Sequence, residues 1–417
     1  MRKDMRGRRF PSRLRRLLCA VVALACTAPA IAQDQRPSGG PKSANERMVE
    51  EKTKPIVLSA VYTAEVDSNV DGGLARGVRY LDNLDLQIAA DGDRLIGWRG
   101  ARAFVYLLYN NGTSFSSSLV GDYQTVSNIE TGTRALRLFE AWIEQDIGAS
   151  ASIKAGLYNL NSEFDTTQSG ALFLLSSHGI GPDFSQSGQN GPSIFPVTSL
   201  GVRGELRIGQ RWRARAAVLD GVSGDPARPA RTAVSLSGSD GALIVGEVDY
   251  RRGGTKAAIG GWAYTSRFDD VLAGARAPSG RGNHGAYALV EHRLHGGIDD
   301  DLAGLSGWVR FGIADPRYNP VVSYLGGGIV QSGIGKRRDD QVGVSIAVAN
   351  FSERYRRAQA LAGTPSDRRE VIFEATYKLT LTDWLSVQPD LQYVVNPGGQ
   401  QTLGDATVIA LRVRIGR

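Results

Sequence analysis

The chain is 417 residues long, 42% hydrophobic and 22% charged, with 49 Lys+Arg against 42 Asp+Glu for a formal charge of +7. Hydrophobic content at that level excludes a disordered chain, and the lack of long apolar runs excludes a polytopic helical membrane protein. The basic excess is confined to the N-terminus: before residue 33, Arg2, Lys3, Arg6, Arg8, Arg9, Arg13, Arg15 and Arg16 are offset only by Asp4, which is eight minus one, or +7. The body from Gln33 to Arg417 therefore holds 41 basic and 41 acidic side chains, and offers a nucleic acid no basic footprint.

Residues 1–32 predict an export signal. The arginines are followed by an apolar run from Leu17 to Cys26, then Thr27, Ala28 and Pro29, then the small-residue pattern Ala30-Ile31-Ala32. A basic start, a short apolar core and an A-x-A site are the three parts of a secretory signal. The core is half of the roughly 20 residues that a transmembrane helix needs. Both cysteines, Cys19 and Cys26, lie inside it, so an exported chain cut after Ala32 would hold neither disulfide nor thiolate chemistry. Residues 33–55 read as a polar leader, with Pro37, Gly39, Gly40 and Pro41 ahead of the charged stretch Lys42 to Lys52.

From residue 56 the pattern becomes segments of roughly 10 to 13 residues in which apolar and polar or small residues alternate between Gly, Asp, Asn and Pro breaks. Near the end, Thr407, Ile409, Leu411, Val413 and Ile415 fall on one face and Val408, Ala410, Arg412, Arg414 and Gly416 on the other. Leu385 to Tyr393, Val371 to Leu379, Leu305 to Ile313, Val202 to Ile208 and Trp212 to Val218 divide in the same way. Sixteen strands are expected, starting near residues 56, 78, 100, 136, 151, 198, 211, 241, 256, 282, 302, 320, 340, 368, 384 and 403.

A β-sandwich also alternates, but with strands nearer 5 or 6 residues. Longer tilted strands, even in number, are the dimensions of an antiparallel outer-membrane barrel. Long connections alternate with short turns such as Gly148-Ala149-Ser150, Gly209-Gln210 and Thr382-Asp383, which places long loops outside the cell and short turns in the periplasm. The longest, about 165–197, follows the fifth strand and is expected to fold into the lumen. Tyr62, Tyr109, Tyr250, Tyr324, Tyr377, Trp384 and Tyr393, near strand ends, are candidates for interfacial girdles, and Trp212 is expected to face lipid.

Several ordered blocks carry a family resemblance. They are Asn69-Val70-Asp71-Gly72-Gly73; Gly156-Leu157-Tyr158-Asn159-Leu160-Asn161-Ser162-Glu163-Phe164; Gly188-Gln189-Asn190-Gly191-Pro192-Ser193-Ile194-Phe195-Pro196 with Leu200-Gly201-Val202-Arg203; Leu219-Asp220-Gly221; Trp384 to Tyr393; and Asn396-Pro397-Gly398-Gly399. Together they resemble the carbohydrate-selective porin family of the OprB type over about residues 56–416. The resemblance implies a channel, monomeric or homo-oligomeric, that passes sugars by diffusion, with outer-membrane lipid and lipopolysaccharide around it. Chains of this kind end in Phe, read by the barrel-assembly machinery; here the last residue is Arg417, a departure from that pattern.

A selective path for a neutral sugar needs hydrogen-bond donors and acceptors at close spacing and flat apolar faces for the ring. Strand parity points Glu140, Trp142, Glu144, Arg203, Glu205, Arg207, Arg213, Arg215, Glu247, Asp249, Trp308, Arg310, Glu374, Asp390, Arg412 and Arg414 inward, as candidate channel-lining and substrate-binding residues. A general diffusion porin for other small solutes uses the same wall and is the alternative reading. A barrel hydrolase is the third: it would need a nucleophile oriented by histidine. His178 lies in a Ser-Ser-His-Gly loop with no partner evident from spacing, and His292 and His295 point apart on a strand. Asp299-Asp300-Asp301 reads as a solvated turn, and Gly326-Gly327-Gly328 lacks the helix and Lys-Ser/Thr of a phosphate loop. No enzyme activity, metal or cofactor is expected.

Overall fold

A computed structural model describes residues 54–234, 237–273, 279–296 and 304–416. The expected export signal with both cysteines, all but the end of the leader, Asp299-Asp300-Asp301 and Arg417 lie outside the described residues. Sixteen strands alternate along the chain: β1 (Ile56–Asp71), β2 (Gly77–Asp91), β3 (Ala101–Asn110), β4 (Ala135–Ile147), β5 (Ala151–Tyr158), β6 (Ser199–Ile208), β7 (Trp212–Asp220) and β8 (Ala242–Arg252), then β9 (Thr255–Tyr264), β10 (His284–His295), β11 (Gly304–Ala314), β12 (Val321–Ile334), β13 (Arg337–Phe351), β14 (Arg369–Thr382), β15 (Leu385–Val395) and β16 (Ala406–Gly416). Every start falls within three residues of the position expected from sequence. The short helices α1 (Gly92–Ile96), α2 (Pro182–Ser185) and α3 (Glu353–Leu361) all lie in connections. None of the described helices is long and apolar enough to cross a membrane.

The strands form one closed antiparallel barrel in sequence order, with β1 hydrogen-bonded to β16. Closure removes both sheet edges, which is what lets strands cross a bilayer with every ladder hydrogen bond made internally. At the seam, Glu65 of β1 stands directly opposite Arg412 of β16, and the two side chains are ion-paired inside the barrel. Alternation along each strand separates two surfaces. On β16, Ile409, Leu411 and Ile415 are exposed on the outer wall while Val408, Ala410 and Arg412 are buried inside. On β14, Phe373 is exposed and Ile372, Glu374 and Thr376 are buried.

Aromatic side chains mark the two rims of that apolar band. Trp212, half exposed, leans on Tyr250 at 4.9 Å near the short turns, with Trp384 also exposed there. On the outer wall of β1 and β2 the Tyr62 hydroxyl lies 2.6 Å from that of Tyr80 and donates to Asp82 at 2.7 Å. Tyr324 departs from expectation: it is fully buried inside the barrel. The β12–β13 register explains this, because Tyr324 shares inward parity with Gly326 and Gly328 while Leu325 and Gly327 take the outer face.

Connections after odd-numbered strands include all the longest ones, and those after even-numbered strands are mostly two or three residues. Two of the long connections fold inward. The one expected to do so follows β5; the one that follows β3 (residues 111–134) was not singled out by its sequence.

Candidate functional site

A loop inside a barrel brings unpaired backbone N–H groups away from bulk water, and each needs an acceptor. The wall supplies them as carboxylates. The β5–β6 loop, 159–198, is met first by Glu140, whose Oε2 accepts from Asn159 N at 3.1 Å and from Trp142 Nε1 at 3.1 Å. Glu247 accepts from Asp165 N at 2.8 Å and Glu291 from Gln168 N and Ser169 N at 2.9 and 2.5 Å. Glu374 accepts from Leu174 N and Leu175 N at 2.5 and 3.3 Å. The β3–β4 loop is held likewise by Glu370, which accepts from Tyr123 N at 2.8 Å and Gln124 N at 3.1 Å. The two loops then pair: Asn128 N donates to Leu174 O at 2.8 Å and Ser176 N to Thr125 O at 3.0 Å.

Arginines fix the acidic side chains of the inserted loop. Arg310 forks between Asp165 (Nη2 to Oδ2 2.7 Å, Nε to Oδ1 3.1 Å) and Asp183, where Nη2 reaches Oδ2 at 3.1 Å and Nη1 bonds Oδ1. All three side chains are buried. Room for the guanidinium depends on Gly312, where an added Cβ would sit 2.3 Å from Arg310 Nη1. Glu163 receives Arg203 at 2.8 Å, Lys154 at 2.7 Å and the Tyr158 hydroxyl at 2.6 Å. Arg203 continues to Glu144 at 2.7 Å, and Lys154 Nζ lies 4.1 Å above the Trp142 ring. Burial alone would raise the Glu163 carboxyl, but Lys154 and Arg203 outweigh it and hold the group well below the usual carboxylate range.

Loop side chains fill the remaining space. Phe173 seats over glycines: a Cβ on Gly343 would lie 2.8 Å from its Cζ, and one on Gly328 3.3 Å from the same atom. Phe184 stacks on Trp262 at 5.1 Å and 6°. His178 packs edge-on to Trp308 at 5.0 Å and to Phe173 at 5.3 Å. Its Nε2 lies 2.8 Å from Ser345 Oγ and its Nδ1 3.2 Å from the Tyr324 hydroxyl. Burial pushes this imidazole down to about 3, so it is neutral, and hydroxyls that both donate and accept suit either tautomer. The Glu374 carboxyl 3.8 Å away is therefore a neighbour and not the partner of an ion pair.

All fifteen candidates in Glu140, Trp142, Glu144, Arg203, Glu205, Arg207, Arg213, Arg215, Glu247, Trp308, Arg310, Glu374, Asp390, Arg412 and Arg414 lie on inward positions of their strands. The structure gives them different tasks. Glu140, Glu247 and Glu374 accept loop N–H groups, and Arg203, Arg310 and Arg412 are committed to Glu163 with Glu144, to Asp165 with Asp183, and to Glu65 with Asn128. Trp142 and Trp308 are buried beneath Lys154 and against His178, so neither offers an open ring face. Arg215 is buried among Glu205, Glu247 and Asp249, at 2.9, 3.2 and 3.1 Å, and Asp390 accepts from Gln392 at 3.1 Å.

More open are Arg207 and Arg213, towards the short turns, and Arg414, within electrostatic range of Asp85 and Lys378. Arg102, Asp146 and Arg251 join Arg207 and Arg213 there and were not anticipated. Also unanticipated were the roles of Glu163, Asp165, Asp183, Glu291 and Glu370. An acidic residue at inward parity on β10 and β14 was the available signal for the last two, but nothing in the sequence says which loop N–H it meets. No group of three or more His, Cys, Asp or Glu that would hold a metal is found among the described residues.

Comparison with known proteins agrees with this architecture. The family described as carbohydrate-selective porin, OprB family, matches residues 75–416. Porin B of Pseudomonas aeruginosa is 23% identical over 394 residues, covering 85% of this chain and 86% of its own. A high pH structure of Pseudomonas putida OprB superposes with a TM-score of 0.77 at 20% identity, over 93% of this chain and all of that one. A mutant of the Rh. blastica porin gives 0.52 at 11% identity, over 87% of this chain and all of that one, a likeness of fold.

Two outcomes follow from the docked loop. Arg310→Gln leaves Asp165 and Asp183 buried with their charge uncompensated, a loss of about 3–5 kcal/mol. The loop at 159–198 is expected to be cut by protease far faster than in the parent while the barrel still shows heat-modifiable migration; unchanged cleavage would refute the docking role. Acid acts in the same direction. His178 is held below its unfolded value of about 6.5 and Glu163 below about 4.3, so the stability each contributes is complete above those values and lost as pH falls through and below them. For His178 the loss begins near pH 6.5 and amounts to up to about 1.4 kcal/mol per pH unit. Loop cleavage measured from pH 7.5 to 5 should rise with acid in the parent and be flatter over that window in His178→Gln.

Proposed function

The chain belongs to the carbohydrate-selective porin, OprB family, and on that premise we propose that it lets sugars diffuse passively across the outer membrane into the periplasm. The observation that carries this reading is the inserted loop, which narrows the barrel and is fixed by Arg310, Arg203 and Lys154 on one side and by wall carboxylates on the other. A channel narrowed by a rigid element and walled with both signs of charge presents donors and acceptors to hydroxyls without a large net field. That suits a neutral, hydroxyl-rich solute. Arg414, with Asp85 and Tyr106, whose hydroxyl donates to Asp85 at 2.7 Å, is the side-chain group we assign to sugar contact.

A general diffusion porin would share the barrel but lack a saturable response to sugar. In planar bilayers the purified protein should conduct ions, and glucose or maltose should reduce the current with saturation. Current indifferent to every sugar would favour the general porin, and no current would reject both.

The hydrolase reading finds its best constellation in Ser345 and His178, 2.8 Å apart and so within nucleophile–base reach. Both are buried, however, and Glu374 approaches the same ring nitrogen as Ser345 instead of the opposite one. An orienting acid belongs on the other nitrogen.

Export by residues 1–32, with a periplasmic leader at 33–55 ahead of the barrel, is part of the same proposal, supported by the basic start and the Ala30-Ile31-Ala32 pattern. Lipid and lipopolysaccharide around the outer band and the barrel-assembly machinery are the partners it implies. N-terminal sequencing of the protein from the outer-membrane fraction should begin at Gln33; a chain beginning at Met1 in that fraction would overturn the export assignment.

A further inference from the structure

The row of inward side chains nearest the short turns of β6, β7 and β8 differs from the rest of the wall. Register sets Arg207 directly opposite Arg213, and Arg213 directly opposite Asp249. Arg251 follows two positions along β8. Like charges directly opposite on neighbouring strands destabilise a sheet unless something lies between them. The carboxylates in reach do not serve this purpose. Asp146 lies 3.8 Å from Arg207 but already receives Arg102 at 3.1 Å. Glu205 lies 3.7 Å from Arg213 but is bonded to Arg215 at 2.9 Å. Asp249 is shared between Arg215 and Arg251 at 3.1 and 2.9 Å.

The consequence is visible atom by atom. Arg207 Nε is buried with no hydrogen-bond partner, while the side chains of Arg207 and Arg213 are 38% and 35% exposed to the lumen. Elsewhere in the barrel the arginines that face the inserted loop are matched by carboxylates at hydrogen-bond distance. Here two guanidinium forks face the open end of the channel with none.

We infer that Arg207 and Arg213 form an oxyanion-binding site at the periplasmic end of the lumen, taking the phosphoryl group of inorganic phosphate or of a phosphorylated sugar. Two planar forks on adjacent strands match the tetrahedral oxygens of such a group, which lies between them and removes their repulsion. Arg251 and Arg102 add positive potential around it. The site is distinct from the residues that hold the loop, so a solute meets it only after passing the narrowed region.

The test uses the full exported chain in detergent micelles, titrated with inorganic phosphate at constant ionic strength and followed by phosphorus NMR line broadening. Saturable binding is expected, and R207Q/R213Q should weaken it tenfold or more while the protein keeps its heat-modifiable migration. R207K/R213K retains the charge but not the forks and should fall between the two. Glucose 6-phosphate titrated in parallel separates the sources: affinity equal to phosphate assigns the site to the anion alone, and tighter binding assigns it to the phosphosugar. No saturable binding by the parent, or the same affinity in R207Q/R213Q, overturns the inference. Because the readout is binding, a protein that conducts no ions would fail as a porin and still decide this question.

Discussion

A polypeptide segment that enters a barrel must find acceptors for its backbone N–H groups, and that requirement organises the interior of this protein. The forty-residue β5–β6 loop meets many of them within its own single-turn helices and turns, but not those of Asn159, Asp165, Gln168, Ser169, Leu174 and Leu175. The barrel answers with carboxylates: Glu140, Glu247, Glu291 and Glu374 for the β5–β6 loop, and Glu370 for the β3–β4 loop. A carboxylate with two oxygens can take two consecutive N–H groups, as Glu291, Glu370 and Glu374 do. Charged acceptors make stronger bonds than neutral ones in a poorly solvated interior.

The remaining interior charge follows from this arrangement. Carboxylates inside a narrow space need cations, and the wall supplies Arg203, Arg215, Lys154 and Lys256 beside them. The loop in turn contributes Glu163, Asp165 and Asp183, which engage Arg203 and Arg310. Much of the charge that looks suited to solute is thus occupied in holding the loop. The groups left outside this scaffold are those of the Asp85, Tyr106 and Arg414 region and the arginine row near the short turns.

Packing supplies the second fastening. Glycines on inward positions of β12 and β13 leave hollows that Phe173 fills, and neutral His178 closes the contact between that ring and Trp308. Gly328, in the run that lacks the features of a phosphate loop, is therefore part of the seat for a side chain 155 positions earlier in the chain. A buried neutral histidine and a depressed Glu163 both favour the deprotonated state, so docking is strongest at neutral pH and above.

The sequence by itself determined the barrel. Two-residue alternation over long segments is local, and it identified all sixteen strands, their inward and outward faces and the alternation of long and short connections. It placed Arg310, Arg412 and Glu374 inside because parity follows from backbone geometry alone. Nearness to a strand end misled at Tyr324, which it suggested for a girdle but which the register of β12 turned inward. What each inward group does was decided only by tertiary structure. Arg310 meets Asp165 and Asp183 across 145 and 127 residues, and Glu374 meets Leu174 across 200. Contacts between a folded-in loop and the far wall have no periodicity to announce them. The charge balance shows the same division: composition established 41 against 41 after residue 32, while closure of the barrel decided which charges neutralise one another and which two arginines stand opposite each other at its open end.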